Sequence, residues 1–291
     1  MSSLKSRILA QLDQAGCSPL HRLGQNFMVD TAALDRLVGE LGAVPGLRVA
    51  EIGPGTGVLT ERLLAAGCQV LAVELDRGLH AFLVTRFAAE IASGALTLVH
   101  GDCLVSKSEL HPDLVAFAAA GPWRLGANLP YDVALPVLAN AAGQPRQPEL
   151  AVVTVQYEAA QRLCAPAGSD AWGASAAVMQ AAGRATLVCK LPPQCFHPRP
   201  RVDSAILRWQ PRAPLPPGFS RWCRSVFAFR RKVLTRALRE LGLERDQAEA
   251  ACQACGLAVE RRLEALDASE LLALHAACPA AADTDRKGSV P

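Results

Sequence analysis

Glycines alternate at Gly53, Gly55 and Gly57, directly after the apolar run Val49-Ala50-Glu51-Ile52 and directly before Val58, Leu59, Leu63 and Leu64 at helical spacing. A strand that must turn sharply into a helix needs such residues, and so does a loop whose bare backbone touches a ligand. The helix start behind the turn offers unpaired N–H groups to electron-rich atoms. By itself the motif is weak, because many nucleotide folds use it. Three later positions give it meaning. Glu74 stands 23 residues after Glu51 at the end of Gln69–Glu74, where a carboxylate can accept both hydroxyls of a ribose. Asp102 follows Leu96–His100 and Gly101, placed to accept a proton from an adenine amino group. Asn128-Leu129-Pro130-Tyr131 follows Trp123–Ala127.

To bring these groups together, four strands must end on one edge of a parallel sheet, where ligands bind in such folds. The run Leu150–Gln156 reads as a fifth strand, and Ala185–Leu191 and Ser204–Trp209 as a sixth and seventh. The last two are separated by Pro192-Pro193 and Pro198-x-Pro200, so they read as a turnback rather than a crossover. Ala33, Leu34, Leu37, Val38 and Leu41 share one face of a helix predicted over Thr31–Leu41. Residues 1–30 form an arm with amphipathic spacing at Leu4, Ile8 and Leu12, and 31–211 the sheet domain. The proline-rich stretch 211–217 marks a boundary, and helices predicted over Phe219–Leu241, Arg245–Cys255 and Ala268–Ala277 make a small domain over 212–278. The polar tail 279–291 is expected to be disordered.

With 291 residues, 51% of them hydrophobic, the chain can bury a large core. No apolar run approaches the roughly 18 residues of a membrane span, and the first residues lack a hydrophobic signal core, which together read as a cytoplasmic protein. Ten cysteines scattered through strands and helices read as small buried apolar residues rather than a disulfide framework. Cys252, Cys255, His275 and Cys278 have zinc-like spacing, but their helical pattern and the stop at Gly256-Leu257 favour packing, and no metal is expected. Net charge is +3, unevenly spread. Residues 184–239 hold 13 Lys and Arg against Asp203 alone, whereas residues 1–183 carry a net −4 and residues 240–291 a net −5. So dense a basic block reads as a surface for a polyanion.

Taken as an ordered set, Glu-x-Gly-x-Gly-x-Gly, the acid of the second strand, Gly-Asp and Asn-Leu-Pro-Tyr resemble S-adenosylmethionine-dependent ribosomal-RNA adenine methyltransferases. Leu23-Gly24-Gln25-Asn26-Phe27, Phe196 through Ser204 and Phe229-Arg230-Arg231-Lys232 narrow the resemblance to the KsgA-type adenine dimethyltransferases, from about Leu20 to Ala277. It implies an α/β fold, a seven-stranded Rossmann-like methyltransferase sheet with a small C-terminal helical domain. It also implies S-adenosylmethionine as methyl donor and the small ribosomal subunit as partner, with two adjacent adenosines near the 3′ end of its RNA as targets and the enzyme a monomer. Gln25, Asn26 and Phe27 would close over the methionine end of the donor, with Glu51, Gly53, Gly55, Gly57, Glu74, Asp102 and Asn128 around it. Asp76 would be a second ribose contact or a helix cap.

An adenine amine is a poor nucleophile because its lone pair is delocalised into the ring. The Asn128 side-chain oxygen and the Leu129 carbonyl would accept its two hydrogens and aim the lone pair at the methyl group, with Pro130 stiffening the turn. Tyr131 would stack on the base and Phe196 cover its other face. The base must leave any helical stack, so unpaired or flipped adenosines are the expected substrates. Arg199, Arg201, Arg230, Arg231, Lys232 and Arg236 are candidate phosphate contacts, although Arg230, Lys232 and Arg236 cannot share one helix face. Four departures from the family pattern bear on RNA contacts: Asp132-Val133-Ala134, Tyr157, Ala174 and Phe229. Three other readings stay open on sequence: a large-subunit methyltransferase acting on one adenine, an NAD-dependent oxidoreductase, and an assembly factor without catalysis.

Overall fold

A computed structural model describes residues 3–17, 25–106 and 109–278, without the side chains of Tyr131 and Asp132. Leu23 and Gly24 of the arm motif and the tail from Pro279 lie outside the described residues. The chain packs as two compact units, one of residues 1–161 with 183–214, the other of residues 162–182 with 215–291.

The first unit is built on a seven-stranded sheet of β1 (Arg48–Ile52), β2 (Gln69–Glu74), β3 (Leu96–His100), β4 (Arg124–Asn128), β5 (Leu150–Gln156), β6 (Gly183–Leu191) and β7 (Ser204–Pro211), in the order β3-β2-β1-β4-β5-β7-β6. The first five in that order run parallel, and β7 is antiparallel to both its neighbours. β1, β2 and β5 are almost wholly buried, which is why they read as continuous apolar runs instead of alternating ones. Helix Thr31–Leu41 starts on Asp30, whose carboxylate accepts the Ala33 N–H, and stops at Gly42 in the left-handed region. Ile8 and Leu12 of helix Leu4–Gln14 are buried in the same core.

Two features of this unit escaped the sequence. Phe27–Met28 pairs antiparallel with Phe196–His197, so the arm is stitched to the turnback before β7. Leu104–Ser106 pairs with Glu109–Leu110.

The second unit has its own core, in which Phe219, Cys223, Val226 and Phe227 pack with Leu271 and Leu274. It corrects two expectations. Residues 162–182, expected within the sheet domain, belong here, because Trp172, Ala176, Ala177 and Val178 bury against that core. The helix expected over Phe219–Leu241 is two, Phe219–Phe227 and Leu234–Arg239. Between them the Arg230 and Lys232 carbonyls accept the N–H groups of Glu264 and Leu263, which a continuous helix would forbid. Helix Arg245–Ala254 and helix Ala268–Ala277 fall where predicted, and Gly256 follows the first in the left-handed region.

Candidate active site

The tips of β1, β2, β3 and β4 surround a cleft of about 240 Å³. Gly53, Gly55 and Gly57 have φ of 66°, 61° and 81°. At Gly55 a Cβ would lie 3.0 Å from the Phe27 ring, so the bare backbone is what lets the arm lie across the loop. Gly57 departs from its expected role. It does not line the cleft but starts helix Val58–Ala65, and a Cβ there would sit 2.5 Å from the Phe87 ring. Its service is close packing of loop against helix.

Two carboxylates are sunk in this edge. Glu74 is 4% exposed; its Oε2 accepts the Gly55 N–H at 3.0 Å and its Oε1 the Asp76 N–H at 2.8 Å. One acid thus ties the β2 tip to the glycine loop, and each oxygen keeps a lone pair for a ribose hydroxyl. Burial raises its pKa to about 7, against the pull of those N–H groups. Glu51 is 1% exposed and accepts the Thr60 hydroxyl at 2.7 Å. Burial raises its pKa to about 8, with nearby Glu74 adding to the rise. Both acids line the cleft, and both would ionise more readily beside a cation. Asp76 is a helix cap, accepting the N–H groups of Gly78 and Leu79 at 2.9 and 3.0 Å. Asp102 is exposed at the cleft, one oxygen accepting the Leu104 N–H at 2.9 Å.

Asn128 closes β4. Its Nδ2 donates to the Asn26 carbonyl at 2.7 Å, and its Oδ1 accepts the Thr154 hydroxyl from the adjoining β5. The side chain therefore joins sheet and arm, a duty the sequence did not suggest. Leu129, Pro130 and Phe196 line the same cleft, as do Gln25, Asn26 and Phe27. The Tyr131 side chain, expected to stack on the base, is outside the described residues.

The basic residues divide. Arg230 donates to the Trp172 carbonyl at 2.9 Å and pairs with Glu264 at 3.8 Å, while Lys232 pairs with Glu240 and lies over the Phe229 ring. Both residues, expected as phosphate contacts, are thus already engaged by partners within the second unit. Arg199 and Arg201 in the first unit, and Arg231 and Arg236 in the second, are exposed and have no ion pair within 4 Å among the described residues. Lys190 lies over the ring of Tyr157, where the family pattern has a basic residue, and pairs with Asp203 at 2.7 Å. His275, of the zinc-like set, packs edge-on against the rings of Phe219 and Trp222, at 5.4 and 5.3 Å.

Sequence reasoning missed three hydroxyls. Thr60 and Thr154 hold Glu51 and Asn128; Thr154 was visible as a lone hydroxyl in an otherwise apolar run, whereas Thr60, followed by Glu61 and Arg62, carried no such signal. Thr56, in the glycine loop, is 1% exposed, lines the cleft, and has an Oγ1 with no hydrogen-bond partner among the described residues. An orphaned buried hydroxyl, a backbone cradle beneath the Phe27 ring and two buried acids are what a polar, cationic ligand with ribose hydroxyls would complete. The residues present fit S-adenosylmethionine.

Residues 20–277 match the ribosomal RNA adenine dimethylase family. A ribosomal RNA small subunit methyltransferase A of Synechococcus sp. (strain JA-3-3Ab) is 39% identical over an alignment of 269 positions that covers 88% of this chain and 91% of that protein. Among solved structures, a dimethyladenosine transferase from Plasmodium falciparum superposes with a TM-score of 0.69 at 22% identity, covering 84% of this chain and 94% of that one. The 23S rRNA methyltransferase ErmE does so with a TM-score of 0.64 at 23% identity, covering 87% and 99%. At those identities the two structures speak for a shared Rossmann-like fold only, and the match to the family rests on the sequence. This chain belongs to the ribosomal RNA adenine dimethylase family.

Proposed function

We propose that this protein dimethylates the exocyclic amines of two adjacent adenosines near the 3′ end of small-subunit ribosomal RNA, and that it serves small-subunit biogenesis as a cytoplasmic monomer. S-adenosylmethionine, held by the cleft residues, would supply the methyl group, its sulfur keeping the electron pair of the broken bond while the amine nitrogen takes the methyl carbon and releases one proton to water. The residues of the chain bind and orient. Glu74 accepts the ribose hydroxyls, Asp102 accepts from the adenine amine of the donor, and Gln25, Asn26 and Phe27 cover its methionine end beside Glu51. The second lone pair of Asn128 Oδ1 and the Leu129 carbonyl accept the two hydrogens of the target amine, while Phe196 walls the base. No side chain need act as a strong base, because methylation makes the amine acidic. Positioning and acceptor dipoles supply the rate.

One observation carries this reading: the glycine loop, Glu74 and Asn128 share a cleft in a chain closely similar to a small-subunit methyltransferase. The decisive experiment incubates the protein with labelled S-adenosylmethionine and unmodified small subunits or, in parallel, unmodified large subunits, then maps label by mass spectrometry. Two neighbouring adenosines each bearing two methyls are expected. Label in large-subunit RNA, or cofactor binding without incorporation, overturns the reading. Asn128→Ala is expected to lower kcat by about 10²–10³-fold, as loss of an oriented acceptor does, and to weaken cofactor binding far less.

A further inference from the structure

The amide of Asn128 is gripped at both ends. A backbone carbonyl can only accept, so Asn26 draws the NH2 end toward the arm at 2.7 Å. The oxygen end then faces β5, where it accepts the hydroxyl of Thr154. Thr154 is 1% exposed, and its place is fixed by register on both sides, opposite Asn128 on β4 and opposite Ile206 on β7.

Packing alone does not call for a hydroxyl here. Val152, Val153 and Val155 surround Thr154 along β5, each buried, and valine would fill the same volume at a position that favours β-branched side chains. A buried hydroxyl is costly unless bonded, and this one spends its proton on Asn128. Released from Thr154, the amide is held at its NH2 end alone, by the Asn26 carbonyl. Its oxygen can then swing about that single contact, and the lone pair is no longer fixed where a target amine would approach.

We infer that Thr154 is a positioning residue for methyl transfer, its hydroxyl holding the Asn128 amide with Oδ1 turned to accept from the substrate amine. The inference rests on the role proposed for Asn128. Phe27, next after Asn26, lies on Gly55, so the arm strand that draws the NH2 end also covers the glycine loop. The correct amide orientation is thereby linked to a closed arm.

Three variants test this, Thr154→Val, Thr154→Ser and Asn128→Ala, each measured for single-turnover methyl transfer, cofactor Kd by calorimetry and thermal stability. Thr154→Val is expected to lose about tenfold in the transfer rate, the worth of one hydrogen bond. Its cofactor Kd should stay within about twofold and its Tm unchanged or raised, because the hydroxyl is exchanged for a methyl in an apolar strand. Thr154→Ser, which restores the donor with a smaller side chain, should recover the rate to within about threefold. A wild-type rate in Thr154→Val beside a severely impaired Asn128→Ala would sink the inference and leave the function standing. A wild-type rate in Asn128→Ala would instead remove the role on which both depend. Equal losses of rate and cofactor affinity in Thr154→Val, with no rescue by serine, would mark the hydroxyl as merely structural and overturn the assignment.

Discussion

Glu51 and Glu74 sit where a globular protein ordinarily avoids a carboxylate, and the protonation each adopts follows from burial. Glu51, raised from 4.5 to about 8, holds its proton at neutral pH, whereas an unfolded chain has already released it. Between those two values the folded state therefore binds the extra proton, and the stability of the ligand-free protein falls as pH rises, the loss being complete above about pH 8. Glu51→Gln keeps an acceptor for Thr60 without the charge. It should stabilise the ligand-free protein by about 2–4 kcal/mol at pH 9 and by little at pH 5, the range following from about 1.4 kcal/mol per pKa unit after relaxation. Urea titrations at the two pH values measure this. A cationic ligand has the opposite preference, because it favours the ionised acids. Affinity for S-adenosylmethionine should accordingly rise from pH 6 to pH 8.5 with release of protons to the buffer. Calorimetry in two buffers of different ionisation enthalpy detects that release, and Glu51→Gln should abolish most of it.

Among the elements, the arm and the glycine loop depend on each other. Gly55 is in the left-handed region and under the Phe27 ring, so Gly55→Ala pushes the arm outward as well as straining the loop. A loss of about 1–2 kcal/mol in stability is expected from the backbone, with a larger loss of cofactor affinity than of stability. Gly57→Ala should reverse that order, because its Cβ would meet the buried Phe87 ring and not the cleft. Thermal melts with and without cofactor separate the two. These elements were legible to different degrees. β1, β2 and β5 could be read because parallel strands buried on both faces leave largely apolar runs, and Glu74 and Asn128 because they stand at the ends of strands. The pairing of Phe27–Met28 with Phe196–His197 could not, since two-residue strands carry no periodicity and their partners are far apart in the chain. Helix Ala174–Ala182 was counted with the sheet domain over 31–211 because its small apolar residues do not say which core they join; Phe219 and its neighbours decide that. The break after Phe227 was hidden because Arg230 and Lys232 suit a helix by themselves, and only the chain near Leu263 and Glu264 competes for their carbonyls.

Across the whole molecule, the basic block that stood out in the sequence is divided between the two units and partly spent inside them. Lys190 and Arg208 answer Asp203 and Glu40 in the first unit, and Arg230 and Lys232 answer Glu264 and Glu240 in the second. Interspersed acids were absent along the sequence, yet folding supplies them from elsewhere, so linear charge density overstates the charge available to RNA. Exposed guanidinium groups remain on each unit, at Arg199 and Arg201 and at Arg231 and Arg236. If these meet phosphates, each releases about one counterion on binding, and its removal lowers the slope of log affinity against log salt by about one. Arg231→Gln and Arg236→Gln should therefore weaken binding to small-subunit RNA, flatten its salt dependence and leave the cofactor Kd unchanged. Arg230→Gln should behave otherwise. It strips a hydrogen bond from the Trp172 carbonyl and a charge from beside Glu264, and should destabilise the protein by about 1–3 kcal/mol. Filter binding over a salt series, paired with urea denaturation, distinguishes the two kinds of arginine. Unaltered slopes in both Arg231→Gln and Arg236→Gln would remove these two side chains from the RNA interface and leave the first unit's Arg199 and Arg201 as the remaining candidates among the four.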